Sequence, residues 1–103
     1  MFWLTACAPE GDLLNKGDAL ERSGKPVEAL AAYGKAIEID PSWWTPYYRK
    51  GLLLKELGRT DEAISALEMA WARRPSLHDV PLVLAATLAE RGRTEDALRV
   101  LRE

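Results

Sequence analysis

The chain has 103 residues, of which 48% are hydrophobic and 29% are charged, a balance expected of one small domain or of part of a longer array of similar units. The net charge is −2, and Lys and Arg are interleaved with Asp and Glu, which argues against nucleic acid or an anionic membrane surface as a partner. A single cysteine cannot form an internal disulfide, no Cys/His cluster has zinc spacing, and no apolar run approaches the roughly 20 residues that span a bilayer.

Residues 1–9 are predicted to be a separate apolar segment, and within it the stretch LTAC ends at Cys7. LTAC resembles the end of a bacterial lipoprotein signal, which implies a lipid on Cys7, attachment to the membrane through it, and a place in the cell envelope. A complete signal also has a basic start and an apolar run of about 7–15 residues, and neither precedes Cys7. The alternative is that Phe2, Trp3 and Leu4 pack on the first folded unit of a cytoplasmic protein. Both interpretations stay open.

The rest of the chain repeats with a period of 34 residues, an interval typical of solenoid proteins. The positions that share this spacing are Gly17/Gly51/Ala85, Leu20/Leu54/Leu88, Gly24/Gly58/Gly92, Ala29/Ala63/Ala97, Tyr33/Leu67/Leu101, Ala36/Ala70 and Pro41/Pro75. The predicted units are residues 10–43, 44–77 and 78–103, of which the third is short.

Each unit is predicted to be two helices joined by a tight turn, which gives about six helices in all. Apolar residues recur at the i, i+3, i+4, i+7 spacing of an amphipathic helix. Gly58 suits the left-handed conformation that closes a helix, and Pro26 suits the first turn of the helix that follows. Thr45, next to Pro46, and Asp79, two residues before Pro81, are predicted to be N-caps that are followed by an early proline.

The small residues predict where the two helices of a unit cross. The first helices carry Gly17, Gly51 and Ala85 at the predicted crossing. The residues expected to face them from the second helices are Ala29, Ala63 and Ala97. Because little side-chain bulk stands between the axes, the two helices can approach closely.

This pattern resembles the tetratricopeptide repeat, a family whose 34-residue helix–turn–helix unit carries small residues, an aromatic and a closing proline at these relative positions. The resemblance covers residues 10 to 103. The chain departs from the family pattern at the early tryptophan, where it has Leu13, Tyr47 and Pro81. The resemblance implies an all-α fold, a right-handed α-solenoid with a concave and a convex face.

In this family the first helix of each unit lines a concave groove, so the resemblance implies a site for a peptide or a helical segment of another protein. The groove positions carried over to this chain are Leu14, Asp18, Glu21, Thr45, Tyr48, Arg49, Leu52, Lys55, Asp79, Leu82, Ala86 and Ala89. They form an apolar strip with a rim of mixed charge, suited to an amphipathic helix or an extended apolar segment. The alternative is that the leucines and the tyrosine of this strip fill the groove themselves.

One subclass of the family binds a terminal carboxylate with Lys, Asn and Arg from three successive first helices. The matching positions in this chain are Leu14, Asp18, Arg49, Asp79 and Val83. Only Arg49 has the required character, so this binding mode is not expected.

No arrangement of residues predicts catalysis. His78 is the only histidine, and without a nucleophile or a metal-ligating companion it is predicted to be a surface residue at a helix N-terminus. The glycines follow the repeat and not a phosphate-binding loop, and the serines have no base in a recognisable arrangement. We therefore expect a non-enzymatic protein-binding scaffold with no cofactor or metal, acting as an assembly factor if it is in the envelope. The alternative is an accessory domain or subunit of a larger enzyme or multi-protein complex.

The third unit is predicted to leave apolar surface open. Its second helix ends with the chain, whereas solenoids normally need a polar cap at each end. Val83, Leu84, Leu98 and Leu101 are the positions expected to be uncovered. A homodimer through this C-terminal end is therefore predicted.

Overall fold

The protein is a row of helical hairpins, and the computed structural model describes residues 9–73 and 79–102, apart from the side chains of residues 9, 10 and 79. Cys7, His78 and the rest of the segments 1–8 and 74–78 lie outside these ranges. Within them the chain forms six helices and no strand: α1 (Pro9–Arg22), α2 (Pro26–Ile39), α3 (Trp44–Glu56), α4 (Thr60–Ala72), α5 (Asp79–Glu90) and α6 (Thr94–Arg102). Successive pairs make three hairpins, stacked into a solenoid of 50 × 29 × 18 Å. The predicted all-α solenoid is confirmed.

The three hairpins turn in the same way. Gly24, Gly58 and Gly92 have φ angles of 79°, 79° and 78°, the left-handed region that glycine adopts without strain. In each turn the amide after the glycine donates to a carbonyl in the last turn of the first helix, as Arg59 N does to Leu54 O at 2.9 Å. This is the helix-ending arrangement expected for Gly58.

The helix starts differ in part from prediction. Pro26 is the first residue of α2, as expected, because its missing N–H and fixed φ cost nothing there. Thr45, predicted as an N-cap, lies inside the first turn of α3, because the N-cap is Trp43 and the helix begins at Trp44, two residues before the expected start at Pro46. Asp79 is the first residue of α5, and its side chain lies outside the described atoms.

The two helices of a hairpin meet at glycine, as the repeat predicted, but the side chains nearest to these glycines are Tyr33 and Leu67 and not the expected alanines. A Cβ atom on Gly17 would lie 2.4 Å from Cε1 of Tyr33, and one on Gly51 would lie 2.7 Å from Cγ of Leu67. The same atom on Gly51 would lie 3.4 Å from the carbonyl oxygen of Ala63. The side chains of Tyr33 and Leu67 therefore occupy the space that a methyl group would need.

Apolar clusters fill the seams between hairpins. On the seam between the second and third hairpins, Ile64 and Leu67 of α4 share a buried cluster with Leu84 and Leu88 of α5. The prediction that Leu84 is exposed at the C-terminal end is therefore wrong: its side chain faces back toward α4 and is buried.

Leu14 is a second correction. Its side chain is buried in a cluster with Tyr33 of the same hairpin and Leu53 of the next one. Leu14 therefore stabilises the seam between the first two hairpins and does not face the groove as predicted.

None of the helices in the described ranges combines the length and the apolar character that crossing a membrane requires.

Candidate peptide-binding groove

A hollow of about 260 Å³ opens between the first helices of the first two hairpins. Asp18, Glu21 and Arg22 of α1 form one wall, and Arg49 and Leu52 of α3 form the other. All three α1 residues lie in its last two turns, so consecutive turns of the helix bring them to one side. Four of the predicted groove residues thus meet at one place, although their role as binding contacts stays a prediction.

Asp18 is the centre of a hydrogen-bonded network in this hollow. Its Oδ1 accepts a hydrogen bond from the hydroxyl of Tyr33 at 2.8 Å and another from Nη1 of Arg49. The Tyr33 hydroxyl also lies 2.9 Å from Oε1 of Glu21. Since one hydroxyl carries one proton, the two carboxylates share a single donor. The network joins α1, α2 and α3.

Tyr33 of α2 connects the two carboxylates of this network through its hydroxyl. Its ring is fully buried, and its hydroxyl reaches up between Asp18 and Glu21. Burial raises the pKa of Tyr33 well above its usual value, and the hydrogen bonds to the two carboxylates and their charges raise the pKa further. The hydroxyl therefore stays protonated and remains a donor at neutral pH.

Arg49 is paired and not free. Its side chain is partly exposed, but its guanidinium is bound to the largely buried carboxylate of Asp18. Of the other positions that match a carboxylate-binding groove, Leu14 and Asp18 offer no cation and Val83 is an apolar, partly buried residue of the third hairpin. The described side chains at these positions therefore present no uncommitted cation to a terminal carboxylate.

The remaining predicted groove residues are spread along α3 and α5. Tyr48 is partly buried against the seam between the second and third hairpins. Lys55 makes an ion pair with Glu90 of α5 at 3.3 Å, so it also ties two hairpins together. Leu82 is exposed on α5 and lies apart from the hollow. The structure therefore separates the predicted strip into a hollow between α1 and α3, the seam residues Tyr48 and Lys55, and the exposed Leu82.

Sequence reasoning missed Tyr33 as a part of this site. Tyr33 was assigned to the repeat pattern, but its position opposite Gly17 carried a further signal. A ring that covers Gly17 places its hydroxyl beside Asp18, the next residue of α1. The ion pair between Asp61 and Arg91, which joins α4 to the turn after α5 at 2.9 Å, was missed as well.

Models of the family described as tetratricopeptide repeat match residues 12–43 and residues 54–103, which together are most of the chain. The chain is a tetratricopeptide repeat protein. Proteins of this family are generally non-enzymatic scaffolds, and the fold supports a role in protein–protein interaction.

Two curated proteins match this chain over a small part of their own length. Superkiller protein 3 of Schizosaccharomyces pombe is 37% identical over 71 residues, which are 69% of this chain and 5% of that protein. The tetratricopeptide repeat and J domain-containing co-chaperone DNJ1 of Cryptococcus neoformans is 28% identical over 80 residues, which are 78% of this chain and 15% of that protein. The chain thus spans a small part of the curated relatives that it matches.

Among solved structures, YrrB, described as a TPR protein with an unusual peptide-binding site, is 28% identical with a TM-score of 0.80. That likeness covers 87% of this chain and 46% of YrrB. The second TPR of Spaghetti (RPAP3), solved with the HSP90 peptide SRMEEVD, has a TM-score of 0.81 over 90% of this chain and 86% of that one. At 14% identity, this second likeness shows the fold alone.

Proposed function

We propose that the protein is a non-enzymatic scaffold that binds a peptide or helical segment of another protein in the hollow between α1 and α3. The observation that carries the proposal is the hollow itself, in which the partly exposed Leu52 stands beside the network of Asp18, Glu21 and Arg49. An apolar side chain of the partner would pack on Leu52, and polar groups of its backbone or side chains would meet the charged rim.

The chemistry of the hollow favours an internal segment of the partner over a free C-terminal tail. Capture of a terminal carboxylate needs cations that are free to bind it. Arg49 is already bound to Asp18, and Glu21 adds a second carboxylate to the same wall. The likeness to YrrB, a protein described as having a peptide-binding site, supports the proposal of peptide binding in general.

Affinity capture with three baits tests the proposal. The intact chain and the variants Leu52→Glu and Met69→Glu are used side by side, with mass spectrometry of what they retain. Met69 lines a separate hollow between α2, α3 and α4, so its variant is a control for an added charge on an apolar surface. A partner held by the intact chain and by Met69→Glu, but lost with Leu52→Glu, supports the groove. A partner lost only with Met69→Glu would contradict it.

A more specific part of this proposal is that the protein is located in the bacterial cell envelope. It is supported by the stretch LTAC alone, whose residues lie outside the described ranges. We propose that Cys7 carries a lipid and that the scaffold acts in envelope assembly. Mass spectrometry of the protein from a membrane fraction would find the added lipid, and Cys7→Ser would release the protein from that fraction. An unmodified Cys7 would contradict this part and leave the groove unaffected.

The alternative role, as an accessory domain of a larger enzyme or complex, is supported by the small share of Superkiller protein 3 and of the co-chaperone that the chain spans. Binding by the isolated 103-residue chain separates the two roles. A scaffold that acts alone retains its partner without other subunits, whereas an accessory domain is recovered together with a defined enzyme.

A further inference from the structure

Three large apolar side chains of the third hairpin are exposed. Leu82 of α5 is 59% exposed, and Leu98 and Leu101 of α6 are 47% and 52% exposed. Leu82, Leu98 and Leu101 make up the C-terminal face. They occupy repeat positions whose earlier members are covered in the first two hairpins.

The coverage of the earlier members follows the 34-residue period. The position of Leu82 is held by Leu14 and Tyr48 in the first two hairpins, that of Leu98 by Leu30 and Ile64, and that of Leu101 by Tyr33 and Leu67. In each case the earlier residue is buried or partly buried in a cluster that includes the following hairpin. In the described part of this chain no helix follows α6, so the same three positions lack that cover.

Within the ranges that the structure describes, Glu95 at this end of the solenoid lacks the ion-pair partner that the equivalent residue has in the preceding hairpin. Asp61 stands at the start of α4 and pairs with Arg91 of the next hairpin at 2.9 Å. Glu95 holds the equivalent position at the start of α6. Among the described residues no ion pair is formed by Glu95, nor by Arg102 at the other end of that helix, whereas Asp96 is bound by Arg93 and Arg99.

The opposite end of the solenoid is a poor match for this face. In the third hairpin the residues that pack back on the preceding hairpin include Val80 and Leu84, both buried. In the first hairpin the same repeat positions hold Asp12 and Lys16, both exposed. Stacking one chain head to tail on another would therefore place two charged side chains where the seam has apolar ones.

We propose that two copies of the chain pair their C-terminal faces about a two-fold axis, with α6 antiparallel to the partner's α6. Self-pairing of one apolar surface gives a closed dimer in which both faces are covered. Residues 95 and 102 are seven positions apart, close to two helical turns, and thus lie on the same side of α6 about 10 Å apart. An antiparallel pair brings each Glu95 to the partner's Arg102, whereas a parallel pair would set Arg102 beside Arg102.

This dimer goes beyond the proposed binding of a peptide and does not depend on it. The hollow with Asp18 and Arg49 lies between the first two hairpins, so pairing through the third hairpin leaves it open. A dimer would carry two such hollows and would bind a partner with two copies of the segment by avidity. The face is small, since α6 has nine residues, against roughly 800 Å² per partner in a standard interface. We therefore expect a weak dimer.

Sedimentation equilibrium of the 103-residue chain from low to high micromolar concentration tests the dimer. The variant Leu98→Glu/Leu101→Glu is expected to raise the dissociation constant by at least about tenfold, because each copy would bring two buried charges to the interface. The matched control is Ile39→Glu/Met69→Glu, which changes two apolar residues of similar exposure, 48% and 45%, outside the face. The control is expected to associate like the unchanged chain.

Exchange of charges tests the antiparallel arrangement. Glu95→Arg and Arg102→Glu should each weaken association, and the double variant should restore it, because the pair between the two copies is re-formed with its signs reversed. Circular dichroism accompanies each variant, since both changes oppose the helix dipole. If the charge variants lose helix, the comparison of the leucine and control variants still decides whether the face is used.

Several results would overturn the proposal. A chain that stays monomeric at high micromolar concentration excludes the dimer, whether its face is then covered by its own N-terminal residues, by another protein or by nothing. Equal weakening by Leu98→Glu/Leu101→Glu and by the control would show non-specific association. A folded double charge variant that associates no better than the single variants would exclude the antiparallel pair.

Discussion

Arg49 of α3 donates to the carboxylate of Asp18 in α1, so a single ion pair links the first helices of two successive hairpins. The same carboxylate accepts a hydrogen bond from the hydroxyl of Tyr33 in α2, so Asp18 joins three helices. Asp18 therefore matters both to the stability of the solenoid and to the shape of the proposed groove.

Asp18→Ala is expected to lower the free energy of unfolding by about 1–2 kcal/mol, because Arg49 loses its partner and Tyr33 loses one of two acceptors. Asp12→Ala is the matched control, since Asp12 is an exposed aspartate of the same helix and gains the same helix propensity. Urea denaturation measures both variants. Equal stability of the two would show that the network contributes nothing to the fold.

Gly17→Ala and Gly34→Ala should shift stability in opposite directions, although both place alanine inside a helix. A Cβ at Gly34 meets nothing within 4 Å, so the gain in helix propensity, about 0.5–1 kcal/mol, is expected in full. A Cβ at Gly17 would press on the Tyr33 ring at 2.4 Å and displace it from Asp18 and Glu21. We expect a loss of about 1–3 kcal/mol there. Thermal or urea unfolding of the pair measures the difference, and stabilisation by Gly17→Ala would contradict the close crossing.

Tyr33→Phe should change how stability depends on alkaline pH. The pKa of Tyr33 is raised in the folded protein above its usual 10.0, so its contribution is complete below pH 10 and is lost as the pH rises beyond it. Above pH 10 this residue should lower the free energy of unfolding by up to about 1.4 kcal/mol for each pH unit. In Tyr33→Phe this decrease of the free energy of unfolding above pH 10 should be absent.

At neutral pH the same variant should be less stable by about 1 kcal/mol, because Asp18 and Glu21 lose their shared donor. Urea denaturation at several pH values between 7 and 11 measures both effects. Parallel curves for the unchanged chain and Tyr33→Phe above pH 10 would show that the hydroxyl is not held in its protonated form.

Hydrogen exchange should be slowest in the middle hairpin and fastest in α6. Buried clusters enclose α3 and α4 from both sides, whereas α6 has nine residues and exposes Leu98 and Leu101. Local opening is easier where fewer apolar groups are covered. Exchange in α6 should slow as the protein concentration rises, since the proposed dimer covers it. Equal protection in all six helices would contradict this order.

The 34-residue period was enough to predict the helices, the turns and the glycine crossings, because each depends on residues close in sequence or in repeat register. It did not predict Leu14 or Leu84 correctly. Leu14 was carried over from the family's groove positions, and Leu84 was expected to be exposed because the third unit lacks a cap. In both cases burial depends on which residues the neighbouring hairpin supplies. At Leu14 that residue is Leu53, which closes over it.

The 34-residue period also did not predict the ion pairs between successive hairpins. Asp18 and Arg49 differ by 31 positions, and Asp61 and Arg91 by 30, so neither pair belongs to one repeat column. Their geometry depends on how far one hairpin is displaced along the next, and a pattern of residue types does not contain that displacement.

The near-identical φ angles of Gly24, Gly58 and Gly92 mean that the chain turns from the first helix to the second by the same bend in every hairpin. The solenoid can thus be extended by adding further hairpins of the same shape. A fourth hairpin copied from the second and joined after α6 would bring its own Leu53 and Leu54, which pack on the preceding hairpin. It would also bring its own Ile64 and Leu67, which pack on the following hairpin. Each added hairpin would extend the concave wall by roughly 8–10 Å, the distance between the axes of packed helices. The turns of the existing hairpins would stay as they are.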